Sequence, residues 1–388
     1  RKIKEGIFFA GAIDWDRRLF DALIPLPDGT SYNSFLVTGS EKTALIDTVD
    51  PSMASKLFAY FEDVKRLDYV VVNHAEQDHS GALPAVLERY KEAKVLASPK
   101  CKGMLVDHLH IPVDRICEVG DNETIPLGGK TLEFLHLPWV HWPETMATYI
   151  REDKTIFTCD LFGSHIAVSG LYENDHARVC EAAKRYYAEV MMPFRSTIKK
   201  HLERLGNYEI EVICPSHGPV HTDPSRIMGF HRDWVSEKLA NTVVIPYVSM
   251  HGSTEIMVDR LTEALSSRGV NVERFNLTVT DAGKLAMALV DAATMVVASP
   301  MVLMGAHPKV ISATFMANAL KPKLKYLSIM GSYGWGGRME EQVKATLANL
   351  KAEYLPSVMI KGAPVEKDFE VIDSLAEQIA EKHKESGI

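Results

Sequence analysis

Apolar and polar positions change rhythm near residue 240. Before it, short β-branched or apolar runs end in turn or polar residues and read as strands: "SYNSFLVTG", "TALIDTV", "DYVVVNH", "AKVLASP", "TLEFLHLP", "TIFTCD" and "IEVICPSH". Between several of them, stretches such as "SGALPAVLERYKEA" and "ARVCEAAKRYYAEVMM" carry apolar residues at helical spacing. After residue 240 the alternation is regular. The strands "TVVIPYVS", "NVERFNL", "TMVVASP", "LKYLSIMGS" and "YLPSVMIKG" are followed in turn by the helices "TEIMVDRLTEALSSRG", "AGKLAMALVDA", "PKVISATFMANALK", "RMEEQVKATLANLK" and a closing helix over 367–384. Strands alternating with helices in this way predict an α/β fold with a doubly wound parallel sheet of five strands. "GFHRDWVSEKLAN" reads as the link between the halves. A chain of 388 residues is too long for one ordinary core. The change of rhythm therefore predicts two domains, 1–240 and 241–388.

Composition is that of a soluble globular protein, 46% apolar and 24% charged. No run approaches the roughly 20 apolar residues of a membrane helix. The start "RKIKEGIFFAG" is basic and then briefly apolar, too short for a signal peptide, so the expected location is cytoplasmic with no membrane partner. A net charge of −8 offers no global attraction to nucleic acid. Cys101, Cys117, Cys159, Cys180 and Cys214 are widely spaced and form no Cys-x-x-Cys, which predicts buried reduced thiols rather than disulfides or a cysteine metal site.

The chemistry concentrates in "NHAEQDHSG", residues 73–81, where His74, Glu76, Asp78 and His79 follow the apolar run "YVVV". Three other apolar runs also lead to a ligand type: His141 after "TLEFLHLPWV", Asp160 at the end of "TIFTCD", and His217 at the end of "IEVICPSH". Loops of a layered α/β fold gather at one rim, so these residues can converge. One metal takes about four to six ligands. Seven candidates fit two metals sharing a bridging carboxylate, and Asp160, alone on its strand, is the natural bridge. Two metals ~3.5–4 Å apart are a recurrent catalytic arrangement. His136, His165, His221 and His231 lack a comparable setting, although His165 follows Asp160 closely enough to stand behind the ligands.

In the second half, "SMHGSTE" joins the first strand to its helix and offers Ser249, Met250, His251, Gly252, Ser253 and Thr254. Hydroxyls, a glycine and a helix start favour a phosphate. With neither a Walker lysine nor G-x-G-x-x-G, the loop fits FMN of the flavodoxin type. Two further strand ends are expected to flank the flavin ring. One holds Pro300, Met301, Val302 and Leu303. The other holds Ser332, Tyr333, Gly334, Trp335, Gly336 and Gly337, with Tyr333 or Trp335 available to stack.

The first-half spacing resembles the metallo-β-lactamase fold, whose motif is His-x-His-x-Asp-His, with Glu76 in place of the second histidine. A carboxylate there makes the site harder and moves preference from zinc toward iron or manganese. Together with the flavodoxin-like half, and with "GTSYNSFLV", "LPWVHWPETM", "RYYAEVMMPF" and "SHGPVH", the whole chain resembles the flavodiiron (A-type flavoprotein) family.

The resemblance implies a metallo-β-lactamase-like αβ/βα sandwich followed by a flavodoxin-like domain, with FMN and two Fe ions. One iron would take His74 and Glu76, the other Asp78 and His79. His79 is the ligand that swings away in some relatives. The implied activity is reduction of O2 to water, of NO to N2O, or predominantly of NO. Electrons would come from a separate rubredoxin-like protein or a reduced diffusible cofactor, since no Cys-x-x-Cys pairs of a rubredoxin-like domain follow the second half. A head-to-tail homodimer, or a dimer of dimers, would face each FMN to the partner's irons. The middle flavin loop departs from the usual Thr and Asn, having Met301, Val302 and Leu303. Asp21 matches a position where many members carry a pocket histidine, and Tyr187 or its neighbour Tyr186 is expected to hydrogen-bond a bound intermediate. Two other readings are a zinc hydrolase, which Glu76 opposes, and an electron carrier or flavin-linked sensor with a structural metal.

Overall fold

Two sheets face each other in the first half of the chain. The computed structural model describes residues 1–388 and divides them into two units, Arg1–Tyr186 with Phe194–Val235, and Tyr187–Pro193 with Ser236–Ile388. In the first unit, one sheet runs in the order Lys2–Lys4, Ile7–Phe9, Phe35–Thr38, Thr43–Ile46, Tyr69–Val72, Lys94–Ala97, Ile116–Glu118. Its early strands pair antiparallel, and from Thr43–Ile46 onward the pairs are parallel. The second sheet orders Thr124–Pro126, Thr131–His136, Met146–Ile150, Thr155–Cys159 and Val212–Pro215, and only its last pair is parallel.

Burial explains why these runs are strands. Val70, Val71 and Val72 are fully buried, as a strand covered on both faces requires. Ile7, Phe35, Val37 and Ile46 of the first sheet join Leu132, Phe134, Met146 and Phe157 of the second in one core, so the sheets form a sandwich. "SYNSFLVTG" is interrupted rather than continuous. Asn33 leaves the ladder because its amide donates to the carbonyls of Pro215 and Gly218, at 2.8 Å each.

The second unit matches the doubly wound expectation. Its parallel sheet runs Asn271–Asn276, Ala240–Tyr247, Ala292–Val302, Tyr326–Tyr333, Val358–Lys361. Glu353–Tyr354 adds a short parallel piece beside Tyr326. Helices cover both faces. Ser253–Ser266 and Glu366–Glu385 bury Met257, Leu261, Leu375 and Ile379 on one side. Ala282–Leu289, Pro308–Leu320 and Met339–Thr346 bury Leu285, Val310 and Val343 on the other.

The division at Val235/Ser236 lies a few residues before the expected 240/241. The expected link "GFHRDWVSEKLAN" is helical as far as Val235, because Met228, His231, Trp234 and Val235 form a buried stripe at helical spacing. The link proper is the short piece before the strand begins at Ala240.

His231 in that helix supports a test. It is fully enclosed by Phe162 at 4.9 Å and Trp234 at 4.8 Å between ring centroids, and its Nδ1–H donates to Ile227 O. Burial lowers its pKa to about 3. A base depressed in the fold is protonated first in the unfolded chain. Its contribution is therefore whole above ~6.5 and is lost as pH falls from there toward 3, at up to ~1.4 kcal/mol per pH unit. His231→Gln removes the titration. Denaturant unfolding of this variant between pH 7 and 4 is expected to be less pH-dependent than wild type by up to one proton.

Candidate functional site

Parallel strand ends bring the seven predicted residues to one rim of the sandwich. His74 follows Tyr69–Val72, Asp160 follows Thr155–Cys159, and His217 follows Val212–Pro215. The Asp78–His79 pair lies on the short helix Gln77–Ser80. All seven converge, and all but His141 are buried.

The nitrogens and oxygens fall into two groups around Asp160. On one side, Glu76 Oε2 lies 3.1 Å from His74 Nε2 and 3.2 Å from His141 Nε2, and each imidazole lies 3.5 Å from Asp160 Oδ2. On the other, Asp160 Oδ1 lies 3.0 Å from His79 Nε2 and 3.6 Å from His217 Nε2. Asp78 completes that side, 3.3 Å from His79 Nε2 and 3.2 Å from His217 Nε2. A ring nitrogen of His79 also lies within 4.8 Å of ligand atoms of His74, Glu76 and Asp160.

The contacts of Asp78, Asp160 and His79 are not ordinary hydrogen bonds. Both oxygens of Asp78 and of Asp160, and both nitrogens of His79, are buried without a hydrogen-bond partner. Buried polar atoms are nearly always partnered. Atoms aimed at a common point between them, rather than at one another, are what a bound cation needs. The donor set of imidazoles and carboxylates without sulfur suits iron or manganese.

Neighbouring groups hold the ligands in place. The Nδ1–H of His74 donates to Glu144 Oε1 at 2.6 Å, and that of His217 to Ser31 O at 2.7 Å, so each turns Nε2 toward the cluster. Asp47 accepts from the backbone and side-chain amides of Asn73 at 2.7 and 3.0 Å and anchors the start of the ligand loop. Burial raises the Asp47 pKa to about 6. Burial alone would lower the pKa of His74, but hydrogen bonds to Glu144 and Glu76 hold it well above its usual value. Burial likewise opposes charge on His79, and Asp78 and Asp160 raise it to about 9. Protons on these imidazoles balance the same negative charge that a metal would.

Asp21 sits at the tip of the hairpin between Leu19–Phe20 and Ile24–Pro25, with φ +50°. Its carboxyl group hydrogen-bonds Glu76, and burial, then the charges of Glu76 and Asp78, raise its pKa to about 6. Of the two tyrosines, Tyr186 faces the cluster. Its ring lies 5.6 Å from His217 and 4.6 Å from His165. Burial, then the Asp160 and Asp78 charges, push its phenol well up. Tyr187 is fully buried and groups with the second unit. The helix ends at Tyr186 and a wider π turn begins at Tyr187, and successive residues on a helix point roughly 100° apart. His165 stands behind the ligands as expected, its ring 4.5 Å from His217 and its Nδ1 2.9 Å from Thr30 Oγ1.

The second unit brings its three predicted loops to the carboxyl edge of its sheet. Gly252 adopts φ +88° at the N-cap of the helix Ser253–Ser266 and, having no side chain, leaves that position without a side-chain acceptor. Ser249 Oγ accepts from Glu255 N at 3.2 Å, and Thr254 Oγ1 lies 3.0 Å from Ser332 Oγ. Open N–H groups ringed by hydroxyls suit a phosphate. The middle loop differs from expectation. The strand runs on through Val302, and Met301 and Val302 pair with Ala306 and Gly305 in a hairpin. Its turn residues Leu303 and Met304 both have positive φ, and Leu303 is 94% exposed. Gly337 lets the third loop approach, since a Cβ there would lie 2.4 Å from Met301 Sδ. Trp335 is 73% exposed.

Sequence reasoning singled out all seven cluster residues but passed over Glu144, Ser31 and Asp47. Glu144 lies in the quoted "LPWVHWPETM", three residues after His141. Nothing in the sequence connects it to His74, 70 positions away.

A family model described as "ODP family beta lactamase" matches residues 30–218. A nitric oxide reductase of Moorella thermoacetica is 34% identical over 98% of both chains. The solved rubredoxin oxygen:oxidoreductase of Desulfovibrio gigas is 30% identical, with TM-score 0.95 over 99% of this chain and 98% of that one. The flavodiiron protein of Giardia intestinalis is 25% identical, with TM-score 0.89 over 98% of each chain. Whole-length likeness of this kind, over both the sandwich and the doubly wound half, places the chain in the flavodiiron, or A-type flavoprotein, family of oxidoreductases.

Proposed function

We propose that this flavoprotein reduces O2 to water, NO to N2O, or both, at a di-iron centre, with electrons arriving through FMN. Of the relatives above, one is named for nitric oxide and one for oxygen, and both substrates stand in the proposal. Asp160 carries the reading. Its two carboxylate oxygens reach two separate ligand groups, as a bridge between two metals must. His74, Glu76 and His141 would hold one iron, Asp78, His79 and His217 the other. Residues 249–254 would hold the FMN phosphate, and 300–303 and 332–337 would flank its ring.

When bound, the iron pair supplies the redox chemistry on the diatomic and FMN supplies electrons one or two at a time. The chain's own residues supply order and protons. Four protons accompany four electrons in converting O2 to two waters, and two accompany two electrons in converting two NO to N2O and water. Tyr186, a neutral phenol at Asp160, and Asp21, a carboxyl group at Glu76, are placed to donate hydrogen bonds or protons there. Tyr186 takes the role in place of its neighbour Tyr187. The electron donor is a separate rubredoxin-like protein or reduced diffusible cofactor. The working form is a head-to-tail homodimer or a dimer of dimers.

Metal and flavin analysis is expected to find two irons and one FMN per chain. After anaerobic reduction, stopped-flow mixing with O2 and with NO is expected to reoxidise the flavin, giving water or N2O. Two zincs with rapid ester hydrolysis would replace this reading by a hydrolase. In Glu76→His, a harder carboxylate gives way to an imidazole, and protein grown with both metals is expected to exchange iron for zinc. Tyr186→Phe is expected to slow turnover by about 10²-fold, with Tyr187→Phe near wild type. Equal loss in both would remove Tyr186 from the role.

A further inference from the structure

The three buried imidazoles of the cluster are backed unequally. His217 Nδ1 donates to a neutral carbonyl, Ser31 O, at 2.7 Å. His79 Nδ1 has no partner. His74 Nδ1 donates at 2.6 Å to a carboxylate, Glu144 Oε1. The two bonds are of nearly equal length, so the difference between His74 and His217 is one of charge.

Glu144 is built in for this contact. Its side chain is wholly buried. Oε1 also accepts from Ala75 N at 3.0 Å, and the backbone carbonyl of Glu144 is held by Ser98 Oγ at 2.8 Å. Trp142 packs edge-on against the His74 ring at 4.9 Å. Oε2, however, is buried without a partner. Holding a backbone amide requires only an acceptor oxygen. A buried carboxylate with an orphaned oxygen costs stability, so the charge needs a reason beyond the loop.

We infer that Glu144 is a positioning residue that makes the two metal positions unequal, by strengthening His74 as a donor so that the position of His74, Glu76 and His141 is the harder one to reduce. A carboxylate behind a ligating imidazole fixes its tautomer and raises its basicity, and a more basic ligand favours the oxidised metal. The position of Asp78, His79 and His217 lacks such backing and accepts the first electron. His141 ties the two effects together, since the loop that supplies this ligand also carries Glu144.

The inference rests on the di-iron reading, and the test separates the two. Glu144→Gln keeps the size and an acceptor oxygen for His74 and Ala75 while removing the charge. Holoprotein is titrated anaerobically with dithionite and mediators, reading the iron signals by electron paramagnetic resonance. Wild type is expected to reduce in two separated one-electron steps. In Glu144→Gln the lower step is expected to rise and the separation to shrink to about half or less, with iron and FMN contents retained. Glu144→Asp, which keeps the charge but withdraws it, is expected to fall between. An unchanged separation in iron-loaded Glu144→Gln, or movement of the higher step instead, overturns the inference. If Glu144→Gln does not fold, an unchanged separation in Glu144→Asp overturns it equally. Wild type that loads no iron overturns the di-iron reading itself.

Discussion

The first unit is organised around buried negative charge. Glu76, Asp78 and Asp160 lie together in its interior, with Glu144 and Asp47 behind them. Carboxylates gathered out of water repel one another and lose hydration, so the fold must supply positive charge within a few ångströms. Protonated imidazoles could do this in part, and His74 and His79 do have raised pKa values. Yet the geometry is wrong for pairing. An imidazolium offers each N–H along one line in the ring plane, whereas Asp160 and Asp78 keep all four oxygens without a hydrogen bond while facing nitrogens 3.0–3.6 Å away. Ligands arranged around a cation look like this.

That requirement explains much of the local structure. The sandwich ends parallel strands at a common rim, where residues far apart in sequence can meet. The loop after Val72 is pinned at its start by Asp47 through Asn73, whose Oδ1 is itself held by Thr148. Asn33 breaks a strand to brace the carbonyls on either side of His217. None of these hydrogen bonds uses a ligand atom that faces the cluster, so they position the ligands without competing for them.

Legibility followed the direction of the signal. Alternation of apolar strands and amphipathic helices was plain in the second half, where the central strands Ala240–Tyr247, Ala292–Val302 and Tyr326–Tyr333 are buried on both faces, and the sheet order agrees with the doubly wound reading. The antiparallel strand Met146–Ile150, the short N-terminal strands and the helices Pro99–Leu109 and Arg195–Leu205 went unread. The strands among them are short, and their pairing partners fix them. Ligands ending apolar runs were legible because strand ends share a rim. Glu144 was not, because its partner is specified across the fold. The Tyr186/Tyr187 choice turned on where one helix changes its winding. The hairpin at 301–306 was missed because two apolar residues at its turn, Leu303 and Met304, carry no turn signal.

Charge balance gives Glu76 a second meaning beyond metal preference. On the proposed assignment, two ferrous ions bring four positive charges into a buried site. Glu76, Asp78 and Asp160 would offset three of them, and Glu144, hydrogen-bonded to His74, and Asp47, hydrogen-bonded to Asn73, stand behind to offset the rest. With histidine at position 76 the same site would carry one negative charge fewer in either state. A centre whose positive charge is offset when fully reduced gains positive charge as it gives up electrons, and the surrounding carboxylates would stabilise that gain. Glu76 and Glu144 therefore act in the same direction on one metal position, one as a ligand and the other through an imidazole. Both favour passing electrons on to an oxidant over retaining them.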